Sequence, residues 1–155
     1  MLRVSGFEFI VRLIPEAFIF MFAAYTFSKT KLDKKRYLLS SILLGISVFF
    51  VRMLPINYGV HTILNIIMLT IISYCINKID MIESIKASIV TAMFLFILEG
   101  INMLTLTFLF KDKIERIIAD VTLKTIFGLP SLICFGLIVF GYYRYLIVRN
   151  KFKYV

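Results

Sequence analysis

A chain of 155 residues that is 61% hydrophobic, with a mean hydropathy of +0.94, has too few polar residues to cover a water-soluble globule, so lipid must be part of its solvent. At about 20 apolar residues per crossing, this length holds roughly five or six membrane spans at most and leaves no room for a soluble catalytic domain. The net charge of +9 arises from 18 Lys and Arg set mainly at the ends of apolar runs; they are neither gathered on one helix nor interleaved with exposed aromatics, which excludes nucleic acid as a partner and suits anchoring at lipid headgroups.

The first predicted span, residues 7–27, is polar over its first half, where Glu8, Arg12, Pro15 and Glu16 stand. The apolar remainder is too short to cross alone, so the polar half must enter the bilayer too, with Arg12 and Glu16 one helical turn apart on one face. The segment SKTKLDKKRY that follows sets Lys29, Lys31, Lys34, Lys35 and Arg36 against Asp33 alone, which places it in the cytoplasm. Residues 38–55 form the second span and 58–76 the third. Between them, FVRMLPINYGVHTILN carries Arg52, Pro55, Asn57, Gly59 and the single histidine, His61; Pro and Gly so close together mark a tight turn.

Lys78, Asp80, Glu83 and Lys86 mark a short inner turn before the fourth span, 85–110, which holds Glu99, Gly100 and Asn102. In KDKIERIIADVTLK, Ile114, Ile117, Ile118 and Val121 share one helical face, so a short amphipathic helix resting on the outer surface is expected. The fifth span is 125–146. The expected fold is therefore all-α: one polytopic transmembrane domain over 1–155, with five helices and an outer interfacial helix, in the cell membrane, amino terminus outside and carboxyl terminus cytoplasmic. In that arrangement inner segments carry Lys29, Lys31, Lys34, Lys35, Arg36, Lys78, Lys86, Arg144, Arg149, Lys151 and Lys153, against Arg3, Arg12, Arg52, Lys111, Lys113, Arg116 and Lys124 outside, the sign that the positive-inside rule requires. Cys75 and Cys134 both fall within apolar runs and read as buried soft hydrophobes without a disulfide.

Counting about 1.5 Å per residue from the outer helix ends puts Arg12, Arg52, Glu16, His61, Asn65, Glu99 and Asn102 in the same outer half. An ionised side chain in a membrane costs about 2.5 to 3.5 kcal/mol, so these groups must pair or face water. Two readings follow: an ion-pair and amide network that only joins helices, or a pocket open to the outside that the network lines. HExxH, a phosphate loop, a CxxC pair and G-x-S-x-G are all missing from the sequence, so a non-enzymatic chain with no metal or cofactor is expected. His61 and Cys75 do not form a peptidase pair, because fourteen residues of helix separate them by about 21 Å.

The pattern R-x-L-P-I-x-x-G-x-H-T-I-L, at Arg52, Leu54, Pro55, Ile56, Gly59 and 61–64, resembles the multi-span amino-terminal region of bacterial GHKL-type sensor histidine kinases, including receptors for secreted peptides. FEFIVRLIPEAFIF near the start and INKID at 76–80 extend the likeness. It implies an outward-facing sensory module whose last helix passes a signal inward. The 155 residues contain neither a phospho-acceptor histidine helix nor an ATP-binding segment, so the expectation is a sensor that works through a membrane partner, signalling protein or second copy. The alternatives are a substrate-capturing membrane subunit of a transporter and a ligand-free membrane scaffold.

Overall fold

The computed structural model describes residues 9–54, 58–110 and 121–152. A π-helical turn, Phe9–Leu13, runs into α1 (Ile14–Phe27), followed by α2 (Lys34–Met53), α3 (Tyr58–Cys75), α4 (Met81–Leu109) and α5 (Val121–Val148). No strand occurs among the described residues. Four helical stretches are long and apolar enough to cross a membrane, Ile10–Phe27, Lys34–Met53, Met81–Leu109 and Thr125–Val148, while Gly59–Cys75 is a shorter apolar helix. The outer faces of the helices bear exposed side chains such as Phe50, Ile63, Phe96, Phe108, Leu109 and Leu137. A continuous apolar coat of this extent is stable only against lipid, and the chain is a multi-pass membrane protein.

Helix boundaries shift from the expected ones for local reasons. Asp33 caps α2 by accepting a hydrogen bond from the Lys35 amide at 3.0 Å, so Lys34, Lys35 and Arg36 form its first turn instead of a loop. The helix α4 begins at Met81, although Asp80 makes no side-chain cap bond, and α5 begins at Val121. Residues 121–124, expected to close the interfacial helix, are thus the first turn of α5; the rest of that expectation, at 111–120, lies outside the described residues, as do Pro55, Ile56 and Asn57. Two helix ends close in the same way. Beyond α1, Lys29 takes a positive φ of 55°, its amide donates to Thr26 O and that of Thr30 to Tyr25 O. Beyond α5, Asn150 has φ 47° and the amides of Asn150 and Lys151 reach Ile147 O and Leu146 O. Both are Schellman closures.

α1 is the central helix. Its buried residues, Glu16, Ala17, Phe20, Met21, Ala23, Ala24, Tyr25 and Thr26, cover more than one face, as expected of a helix enclosed by others. It packs on all four other helices, which neighbour one another in the order α2, α3, α4, α5. Small residues set the close approaches: Gly45 of α2 faces the Cβ of Ala17, and Gly136 of α5 faces Ile19. In a membrane such packing, not exclusion from water, drives association. Phe20 meets Phe135 and Phe22 meets Tyr143, so α5 runs parallel to α1. The bundle therefore goes up and down, with Arg12, Arg52 and Gly59 near one end. Lys29, Lys31, Lys34, Lys35, Arg36, Lys78, Arg149 and Lys151 gather at the other.

Cys75 and Cys134 are free, and both are exposed on the outside of the bundle. The expectation of burial inside the protein is corrected; their apolar surroundings are the lipid-facing surface.

Candidate functional site

Pro15 lacks the amide proton of a regular helix and its ring crowds the carbonyl one turn back, so the chain widens into the π-helical turn just before it. Arg12 sits in that turn. Its Nη2 lies 2.6 Å from Glu99 Oε1 on α4, and its Nε lies 3.9 Å from Glu16 Oε2 on α1. The same Glu16 oxygen accepts a hydrogen bond from Arg52 Nη2 on α2 at 3.0 Å. Arg52, Glu16, Arg12 and Glu99 thus form one chain of alternating charge, drawn from four elements and summing to zero. In a medium of low dielectric constant an unpaired member would be costly, so pairing is what permits these side chains at this depth.

The tetrad forms one wall of a cavity of about 540 Å³ between α1, α3 and α4. From α3 come His61, Thr62 and Asn65, and from α4 Ser88 and Thr91; Phe20, Ile66, Leu69 and Leu95 supply apolar surface. Thr91 Oγ1 donates back to Ala87 O. The others are not all so provided for: both ring nitrogens of His61, Oδ1 of Asn65 and Oγ of Ser88 are buried and make no hydrogen bond with the protein. His61 is 92% buried, its exposure being 8%. Buried polar atoms nearly always find partners, and each one left without costs about 1 to 3 kcal/mol. Three such residues, His61, Asn65 and Ser88, border this one cavity, while Tyr25, Ser41 and Asn77 carry further buried atoms without a partner and do not line it.

Of the seven residues expected to form the site, Arg12, Glu16, Arg52, His61, Asn65 and Glu99 line this cavity. Asn102 does not. Its Nδ2 donates to Phe127 O on α5 at 2.7 Å, and Ser131 Oγ donates to Gly128 O. Both side chains thus bond carbonyls in the turn before Pro130, which lies within the helix and leaves Ile126 O, four residues back, without an amide donor. Asn102 belongs to the α4–α5 joint.

Sequence reasoning missed Thr62, Ser88 and Thr91. Ser88 lies about 10 Å from the amino-terminal end of α4, and the cavity reaches it. The signal was present: Ser84, Ser88, Thr91, Leu95 and Glu99 recur every three or four residues and define one face of α4. Among the described residues no group of His, Cys, Asp and Glu is placed to hold a metal. Comparisons with family models, with curated proteins and with solved structures return no match.

Proposed function

We propose that this chain is a non-enzymatic membrane module that binds a ligand in the cavity between α1, α3 and α4 and passes the occupied state to a membrane partner. The observation that carries the reading is the set of buried, unpartnered polar atoms on His61, Asn65 and Ser88, next to charges already balanced by one another. Asn102, which lies outside the cavity, bonds instead to Phe127 O at the α4–α5 joint.

In this reading all five helices cross the cell membrane, with the cavity nearer the outside. The cluster from Lys29 to Arg36, with Lys78, Arg149 and Lys151, marks the cytoplasmic end. The likeness of 52–64 to sensor kinase membrane regions adds the direction of the signal, from the outer cavity inward along α5. Ligand contact with His61 and Asn65 on one side and Ser88 on the other would favour one spacing of α3 and α4 over another, which is all that a switch requires. A substrate-capturing subunit of a transporter would use the same cavity but hand its ligand onward.

Ala92 of α4 also lines the cavity, and purification of wild type and an Ala92→Phe variant, whose added ring fills that space, tests the reading. Mass spectrometry should find a small molecule retained by the wild type and lost from the folded variant. A membrane protein co-purifying with both marks a sensor, and a retained solute without one marks a transport subunit. Two samples identical in every retained compound would remove the ligand from the account.

A further inference from the structure

Two residues that line the cavity, Ile63 on α3 and Phe96 on α4, are also strongly exposed, at 58% and 67%. A side chain that borders a cavity and also faces the surroundings stands at its mouth. Ile63 is only five residues into α3 and Phe96 is thirteen residues from the end of α4, or about 8 and 20 Å along their helices, so both lie at the depth of the hydrocarbon. The neighbours of Phe96 on the outer face of α4, Met93 and Ile97, are exposed as well. The mouth therefore faces lipid.

From the mouth inward the wall changes from apolar to polar. The polar floor is already neutral, since two arginines and two glutamates pair with one another, and the groups left over on His61, Asn65 and Ser88 are hydrogen-bonding ones. We infer that the cavity admits an uncharged amphiphile sideways from the bilayer, its hydrogen-bonding head reaching His61, Asn65 and Ser88 and its chain lying over Ile63 and Phe96. A charged head would add an unpaired charge to a balanced set, and a purely apolar guest would leave the buried polar atoms unmet. A volume of about 540 Å³ is within the range of sites that enclose most of a small organic ligand. This inference rests on the ligand-binding reading above and narrows it to one class of guest and one route.

The chain contains no Trp, so Phe96→Trp places a single indole at the mouth. Full-length protein is reconstituted in phosphatidylcholine vesicles at about pH 9, where a membrane-bound carboxyl is ionised, and titrated with a monoacylglycerol bearing a dibrominated acyl chain or with the matching dibrominated fatty acid. Expected is saturable quenching by the monoacylglycerol, half-complete at a mole fraction about tenfold lower than for the fatty acid, and reduced to linear, unsaturable quenching by adding Ala92→Phe. An Ile63→Trp variant reports from the other lip and should behave alike. Quenching that never saturates, or that favours the fatty acid, overturns the inference, as does an indole that brominated chains do not reach. If either occurs while wild type still retains a water-soluble compound that Ala92→Phe loses, the ligand reading stands and only the sideways route to an uncharged amphiphile falls. If no compound is retained either, both fall.

Discussion

Gly128 of α5 lies so close to the guanidinium of Arg12 that a Cβ at this position would stand 2.9 Å from Nη1. Arginine side chains usually yield to such an intrusion, but this one is held by Glu99 and Glu16. Gly128→Val is therefore expected to destabilise the detergent-solubilised protein by about 1 to 3 kcal/mol, whereas Gly141→Ala, with open space at its Cβ, should be neutral. Thermal denaturation of the two variants side by side makes the comparison.

The charged tetrad should respond as a unit. Glu16→Leu removes the ion pair to Arg52 and weakens the hold on Arg12, at a cost of about 3 kcal/mol. Arg52→Met should be somewhat milder because Glu16, the charge left behind, still has Arg12 at 3.9 Å. Combining the two removes both members of the pair, so the double variant should be more stable than the sum of the singles by about 1 to 3 kcal/mol. Additive losses in a double-mutant cycle would mean that the 3.0 Å contact contributes nothing.

Asn102→Leu separates the joint from the cavity. Losing the bond to Phe127 O should cost about 1 kcal/mol of stability and leave retention of any bound compound as in wild type. His61→Leu should do the reverse: it replaces an imidazole whose nitrogens lack partners, so stability should hold or rise while the bound compound is lost. The contrast is read by melting and mass spectrometry on the same preparations.

At the end of α1, Lys29 occupies the left-handed region at φ 55°, a conformation costing a side-chain-bearing residue about 1 kcal/mol that glycine escapes. Lys29→Gly should raise the melting temperature, and Lys29→Ala, which removes the charge but keeps the Cβ, should not. An equal gain from both would assign the effect to charge.

Orientation can be checked directly. In a background lacking Cys75 and Cys134, Lys31→Cys should react with a membrane-impermeant maleimide only in inside-out vesicles, and Gly59→Cys only in right-side-out cells. The opposite pattern would invert the proposed topology.

How far the sequence shows all this depends on what each residue contacts. Hydropathy and charge place five apolar runs to within a few residues, and at α2 the Asp33 cap accounts for the shift. The meeting of Arg12, Glu16, Arg52 and Glu99 was legible from cost alone, since isolated charges do not persist in lipid. Asn102 has the same composition signal as Asn65, and only the path of α5 decides that one serves a helix joint and the other a cavity. Ser88 and Thr91 were overlooked because hydroxyls in a membrane helix commonly bond to their own backbone, as Thr91 does. That Ser88 does not is a property of the packed structure.

α4 runs for 29 residues, about 43 Å at helical rise, against a hydrocarbon thickness of about 30 Å. Its buried positions, Ser84, Ala87, Ser88 and Thr91, all lie in its first half, while Glu99 and Asn102 tie the far half to Arg12 and to Phe127 O, so a helix this long must tilt as a whole to keep Phe108 and Leu109 out of water. The tilt of that helix sets the gap to α3. Bilayer thickness then becomes an input to the site: lengthening the acyl chains of the host vesicles should straighten α4 and change the distance between spin labels at Val60 and Ile101.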